Sequence, residues 1–329
     1  MNKKIIAFGG GTGMSHLLRG IKQYPLDITA VVSVSDDGGS AGKLRNEFDI
    51  LAVGDIRRVI ESLSDNENEL SNLLNYRFES NGELNNHALG NLILLAEMKI
   101  HGSVQKAIEN LSKILNLKGK VLPFTEDKVI LVGEMEDNSI IEGEHNITQS
   151  PKKIKKVFYK EEPTISKQLI KEIKNADLIV LSMGSLFTSV IPNLLSTEIK
   201  NAIDKSNAKI VYCCNLFTQP GETDNYKVSD HVKTLNNYLG NKKINYVIAN
   251  KEEINNDLIE KYATEEQKDL VILDKEETEK LGLEVIEDDL AYIKNHTEEH
   301  KNVYRHNYVK LGFIIHTIAL NYASMLKNK

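Results

Sequence analysis

The sequence predicts an α/β protein built on a mostly parallel sheet with helices on both faces and a small antiparallel β insertion. Three observations carry this. An apolar strand, Ile5–Phe8, runs straight into the glycine turn Gly9-Gly10-Gly11-Thr12-Gly13. Strand and helix signals alternate through the first third of the chain and resume after Pro163, the pattern of β–α–β units. Between them, from about Gly119 to Lys160, short strand signals follow one another with turn residues between.

Taken in order, Ser15–Lys22 reads as a helix with Leu17, Leu18 and Ile21 inward, and Ile28–Val34 as a β-branched strand. Asp55–Leu63, Leu70–Tyr76, Ala88–Met98 and Val104–Leu115 read as helices, the third opened by Asn85-Asn86-His87. Val129–Val132, Ser139–Glu142 and Lys155–Tyr159 are the strands expected of the insertion, bounded at 119–160. The alternation then gives a helix at Lys167–Lys174, a strand at Leu178–Leu181, a helix at Asn193–Lys205 and a strand at Lys209–Cys214. A helix at Ser229–Leu239 and a strand at Tyr246–Ala249 follow. Lys251–Lys301 is charge-rich and weakly periodic. Asn302–Leu326 reads as a closing helix that offers Val309, Phe313, Ile314, Ile318 and Leu320 for packing, so 251–329 is expected to be a helical extension on the core.

Length and composition narrow the class. A chain of 329 residues with 41% hydrophobic and 27% charged residues suits a soluble globular protein with a large core. A net charge of −6 argues against a dedicated nucleic-acid binder. The run Lys152-Lys153-Ile154-Lys155-Lys156 reads as a solvated strand before it reads as a docking patch for an acidic partner. Cys213 and Cys214 are adjacent, and neighbours on a strand point to opposite faces, so no disulfide joins them and a reducing compartment is implied. No apolar run is long enough to span a bilayer, and the N-terminus leads directly into the first strand and its glycine turn, so the cytoplasm is expected. Asn146-Ile147-Thr148 is a sequon without meaning there.

Four polar, glycine-bearing loops each follow an expected strand: Gly9–Gly13, Ser35-Asp36-Asp37-Gly38-Gly39-Ser40, Ser182-Met183-Gly184-Ser185 and Asn215–Asp224. In an open parallel sheet, ligands sit at the carboxyl ends of the strands. One such loop is as well explained as a tight turn, but four on one sheet edge point to a ligand site. Glycines let the backbone approach a phosphate, and the helix that follows turns its positive end to the same anion. The dinucleotide fingerprint fails, because Met14 or His16 stands where its third glycine belongs, and no Gly-Lys-Ser/Thr completes a P-loop. That weakens an NAD-dependent oxidoreductase reading, although NAD itself remains an admissible occupant.

The acids Asp36 and Asp37 serve either a ribose or a hard divalent cation bridging to phosphates; helix capping suits Ser40 better. His87 is a site candidate, with a capping or core role of equal weight. His296-Thr297-Glu298-Glu299-His300 fits an inverted zincin spelling, but lies in a polar stretch and reads as solvated charge.

Taken together, Gly9–Gly13, Asp36–Ser40, Gly54-Asp55-Ile56-Arg57, His87-Ala88-Leu89-Gly90-Asn91, Gly184–Leu195 and Thr218–Asp224 resemble the YvcK branch of the CofD-like family, the gluconeogenesis factors. The likeness runs from residue 4 to about 250. It departs at Asn86, where a glycine is expected, and at Ser182-Met183, where Gly-Pro is expected.

The resemblance implies a single Rossmann-like three-layer domain over 1–329. It also implies a cytoplasmic regulator that binds a UDP-sugar, UDP-N-acetylglucosamine or UDP-glucose, and supports cell shape and envelope precursor synthesis on gluconeogenic carbon, with no established reaction. On that reading Gly10, Gly11, Thr12 and Gly13 cradle the diphosphate and Asp36 or Asp37 takes a ribose or sugar hydroxyl. Ser40, His87, Asn91, Gly184, Ser185, Asn215 and Thr218 complete the site. No cofactor is required. A partner enzyme of amino-sugar synthesis and a homo-oligomer are expected, with no nucleic acid and no membrane span. The alternative is a CofD-type transferase of a phospholactyl-like group from a nucleotide donor, with Mg2+ held by Asp36, Asp37 and Asp55.

Overall fold

A computed structural model describes residues 2–65, 67–251, 268–294 and 303–328. Seven strands form one parallel sheet: β1 (Lys3–Gly9), β2 (Leu26–Val32), β3 (Lys120–Pro123), β7 (Leu178–Leu181), β8 (Lys209–Cys213), β9 (Tyr246–Asn250) and β10 (Glu284–Asp288). Their order is β10-β9-β8-β7-β1-β2-β3, with every neighbouring pair parallel. Three further strands, β4 (Leu131–Met135), β5 (Ile140–Glu142) and β6 (Ile154–Tyr159), make a separate antiparallel sheet in the order β5-β4-β6. The α/β class is therefore as expected, and the insertion is antiparallel; the stretch 120–123, placed within the insertion by its expected bounds, lies instead in the main sheet as β3 beside β2.

β1 shows why the layers form. Its side chains alternate, and Ile5 and Ala7 join one apolar cluster while Ile6 and Phe8 join the other. A strand buried on both faces has no polar side, so it reads as a continuous apolar run. The first cluster lies under α1 (Gly11–Ile21), α3 (Gly54–Leu63), α5 (Leu89–His101) and α6 (Val104–Ile114). The second lies under α8 (Lys167–Lys174), α9 (Thr197–Lys205) and α10 (Val228–Tyr238). Three further helices complete the first two thirds: α2 (Gly39–Phe48) and α4 (Glu67–Asn75) on the first face, and α7 (Glu144–Gln149) in the insertion.

From β1 the chain runs outward to β2 and β3, then returns to the other side of β1 as β7. The crevice between the carboxyl ends of β1 and β7 is therefore the topological switch point, where open α/β sheets bind ligands.

The last quarter differs most from the sequence expectation. It holds α11 (Lys275–Glu279) and strand β10 of the main sheet. It also holds the antiparallel pair β11 (Ala291–Lys294) and β12 (Val303–His306), then helix α12 (Tyr308–Ala319). The expected helix thus begins six residues later than read, after a strand; Asn307 caps it through Lys310 N–H at 3.1 Å.

Helix α12 is pressed onto α1. A Cβ on Gly20 would stand 2.0 Å from the Tyr308 carbonyl oxygen, and one on Gly312 would stand 2.5 Å from the Gly20 oxygen. Only glycine permits this crossing. Because α12 has one covered face, Ile314 and Ile318 are buried but Val309, Phe313 and Leu320 stay exposed. The His296–His300 spelling lies outside the described residues. The lysine run sits mostly over acids: Lys155 and Lys156 both pair with Glu134, and Lys152 pairs with Asp137, so the solvated reading stands.

Candidate functional site

The glycine turn divides two unlike surfaces. On one side a cleft of about 400 Å³ opens at the switch point. Thr12 and Gly13 from the start of α1 line it, with Gly184 and Ser185 after β7, and Asn215 and Thr218 after β8. Three of the four glycine-bearing loops thus meet here, and the fourth, Asp36–Ser40, faces the other side.

The cleft walls are close-set because the loops share backbone contacts. A Cβ on Gly13 would lie 1.7 Å from the Met183 carbonyl oxygen. Asn215 spans the same junction, accepting Gly184 N–H at 3.1 Å and donating to Gly184 C=O at 2.6 Å. Its amide imitates a strand neighbour and fixes the loop, so its polar atoms are committed to the frame. Ser185 donates its hydroxyl to the buried carboxylate of Glu222, 2.7 and 2.8 Å from the two oxygens. Gln219 Nε2 and Phe187 N–H also donate to Glu222. Burial raises the Glu222 pKa against these hydrogen bonds. Thr218 accepts Asp269 N–H at 2.9 Å. Three residues expected to touch ligand with their polar groups therefore hold the walls with them.

The cleft wall also includes several residues that sequence reasoning missed. Lys268, Tyr304, Arg305 and His306 close the cleft from the last quarter of the chain, with His16 and Phe217 beside them. The Phe217 and Tyr304 rings stand 6.2 Å apart at 40°. His306 donates from Nε2 to the Cys214 carbonyl at 2.9 Å. Burial pushes its pKa down to about 4, and nearby His16 adds to the shift, so it is neutral at pH 7. His16 donates from Nδ1 to the Thr12 carbonyl at 3.0 Å. A cationic pair, the amino end of α1 and two aromatic rings describe a receptor for an anionic ligand with a planar group.

The other surface is acidic. Gly10 and Gly11 face it: a Cβ on Gly10 would stand 2.4 Å from Asp55 Oδ2, and Gly11 adopts φ +60°. Asp55 opens α3, accepts the Gly11 N–H and pairs with Arg58 at 3.2 Å. Burial, then the Asp36 charge, raises its pKa to about 6. Glu144 at the start of α7 is raised to about 7 by burial first and Asp36 next. Asp36 accepts Gly38 N–H at 2.9 Å and Asp37 accepts His145 N–H at 2.7 Å.

Ser40, His87 and Asn91 form one group beside these acids. Ser40 Oγ lies 3.1 Å from His87 Nδ1 and 3.4 Å from Asn91 Nδ2. Asn91 Oδ1 is buried without a hydrogen-bond partner among the described residues. Asp36 and Asp37 thus each accept a backbone N–H, and Asp55 pairs with Arg58. Among the described residues, no three His, Cys, Asp or Glu side chains stand where they could hold one ion. Burial also pushes both cysteine thiols up, Cys214 to about 12, which leaves them unreactive near pH 7.

An α/β protein with a parallel seven-stranded sheet and a polar cleft at its switch point has the Rossmann-like architecture. The profile described as "2-phospho-L-lactate transferase CofD" matches residues 5–291. The chain belongs to this CofD family. The gluconeogenesis factor of Bacillus subtilis (strain 168) is 46% identical over 298 residues, covering 90% of this chain and 94% of that protein. The gluconeogenesis factor of Halalkalibacterium halodurans is 43% identical over 311 residues, 94% of each chain. A crystal structure of a UPF0052-family protein from Bacillus halodurans superposes with a TM-score of 0.89 at 43% identity, over 96% of this chain and 99% of that one. These relatives bear out the YvcK-type resemblance and the Rossmann-like three-layer fold.

Proposed function

We propose that this chain is a gluconeogenesis factor of the YvcK type: a regulatory protein that binds a UDP-sugar, UDP-N-acetylglucosamine before UDP-glucose. The observation that carries the reading is the pairing of a cationic, aromatic-walled cleft with an acidic surface across one glycine turn. The diphosphate lies over the N–H groups of Thr12 and Gly13 at the start of α1, with Arg305 and Lys268 as counter-charges. The uracil lies against Tyr304 and Phe217. The sugar crosses Gly10 and Gly11, where Asp36 and Asp37 accept its hydroxyls. Ser40 and His87 orient Asn91, while Gly184, Ser185, Asn215 and Thr218 hold the walls. Both cleft histidines are engaged with backbone carbonyls, which suits binding over proton transfer. In the cell, ligand occupancy reports carbon supply to a partner enzyme of amino-sugar synthesis in the cytoplasm, and so to cell shape and envelope synthesis. Such reporting requires a ligand that prefers one of two conformations.

The transferase alternative draws on the family description and on the two carboxyl groups with raised pKa. Calorimetric titration with UDP-N-acetylglucosamine and UDP-glucose, with and without Mg2+, and with NAD and GTP as controls, separates the readings. Micromolar, UDP-sugar-selective binding that Arg305→Ala weakens, with the ligand recovered intact, is the expected result. Metal-dependent GTP binding without UDP-sugar binding overturns it and favours group transfer.

A further inference from the structure

On the acidic side of the glycine turn a cation stands against the backbone. Arg58 lies on α3, three residues after Asp55, and its Nη1 is 3.2 Å from Asp55 Oδ1. A Cβ on Gly11 would stand 3.7 Å from that same Nη1 and 3.6 Å from Asp55 Oδ1. The bare face of Gly11 is therefore bounded by a guanidinium and a carboxylate, each at contact distance for an atom seated there. Arg58 is held in place from both ends. Ser15, buried in the first turn of α1, turns its hydroxyl to two carbonyls, that of Gly11 at 3.1 Å and that of Arg58 at 3.2 Å. The Arg58 backbone is thus pinned to the glycine turn, and its side chain to Asp55. The bond to Asp55 takes one of five N–H donors, and the side chain is 43% exposed. Donors remain for a second acceptor, in a planar fork that matches a phosphate.

On the UDP-sugar reading, on which this assignment rests, we propose that Arg58 binds the phosphate that carries the sugar, as a counter-charge additional to Arg305 and Lys268. Charge balance calls for such a group. A ligand that leaves the cleft across Gly11 brings its second phosphate toward Asp36, Asp37, Asp55 and Glu144, and like charges a few ångströms apart in a partly buried site repel. Arg58 stands at that boundary, and its pair with Asp55 weakens the field the acids present to the phosphate. Two other arginines of this face are committed elsewhere. Arg57 is buried and bonded to the Leu74 carbonyl and the Asn75 side chain. Arg45 donates to the Ser35 and Val129 carbonyls.

Calorimetry with UDP-N-acetylglucosamine, UDP and UMP, on the full chain and on Arg58→Gln, tests this. Arg58→Gln removes one charge-assisted contact, so UDP-N-acetylglucosamine and UDP each bind about 10-fold more weakly. UMP, which lacks the second phosphate, keeps its affinity within about twofold, well inside the loss expected of a charge-assisted bond. Arg58→Lys restores the charge without the fork and recovers part of the loss, to about threefold below the parent. A loss shared equally by UMP, a loss confined to the UDP-sugar, or unchanged affinity for all three overturns the assignment and leaves UDP-sugar binding standing. No binding of UDP-N-acetylglucosamine or UDP to the parent protein overturns the UDP-sugar reading and the assignment with it. If Arg58→Gln melts early, the same contrast of UDP against UMP in Arg58→Lys decides.

Discussion

The two sides of the glycine turn share one loop and differ in charge, and on the function proposed here they take different parts of one ligand. The cleft side collects Arg305 and Lys268 at the amino end of α1, where the helix dipole already favours an anion. The other side packs Asp36, Asp37, Asp55 and Glu144 around Gly10 and Gly11, and raises two of the four carboxyl groups toward neutrality. Like charges crowded in a low dielectric retain protons. One side therefore suits a diphosphate and the other suits hydroxyl groups.

The largest expected effect breaks the junction itself. Gly13→Val drives a side chain into the Met183 carbonyl, 1.7 Å from the Cβ position, so the two loops must part. A loss of about 3 kcal/mol or more in urea unfolding, together with lost UDP-sugar binding, is expected. Unchanged stability would show that the loops do not lock together here.

Arg305→Ala separates ligand affinity from fold. A charge-assisted hydrogen bond is worth roughly 1.5–3 kcal/mol. UDP-N-acetylglucosamine affinity is expected to fall about 10- to 100-fold by calorimetry with the melting temperature unchanged. A variant that melts early instead would make Arg305 a structural residue.

The acidic side carries a pH signature. Asp55 and Glu144 have folded pKa values of about 6 and 7, above their ordinary 3.8 and 4.5. Between about pH 4 and 7 the folded state therefore binds more protons than the unfolded state. Stability contributed by the neutral forms is present at low pH and is lost as pH rises through the folded values. Asp55→Asn, which keeps an acceptor for Gly11 N–H, should flatten this decline by about 2 kcal/mol between pH 4 and 7. An identical slope in variant and parent would place the titrating groups elsewhere.

Asn215→Ala removes two bonds to Gly184, about 1 kcal/mol each. A smaller stability loss and a several-fold weaker UDP-sugar affinity are expected, since the wall rather than a ligand contact is lost. Lys156→Ala, on the far β insertion, should change neither by more than about 0.5 kcal/mol, because an exposed ion pair contributes little.

Much of the fold and half of the site were legible locally. The strand Leu178–Leu181 and helix Lys167–Lys174 appear with the bounds read from periodicity, and the three loops that form the cleft were recognised by their glycines and position. Helix α2 was missed, because Gly39-Ser40-Ala41-Gly42 carries two glycines and no apolar stripe of helical period. Lys268 and Arg305 were missed because no short motif marks them; they sit in a charged stretch where any lysine or arginine looks solvated.

Local sequence thus decided the β–α alternation, the glycine turn and the paired acids, since each depends on residues a few positions apart. Chain folding over long separations decided the rest. β7 returning beside β1 made the switch-point cleft, and the Gly20–Gly312 crossing seated α12 so that Arg305 reaches a turn nearly 300 residues earlier in the chain. It also turned Ser185 and Asn215 inward, because a carboxylate and a backbone amide that are remote in sequence, Glu222 and Gly184, become their nearest partners. Spacing along the chain carries no record of such pairings, which packing alone creates.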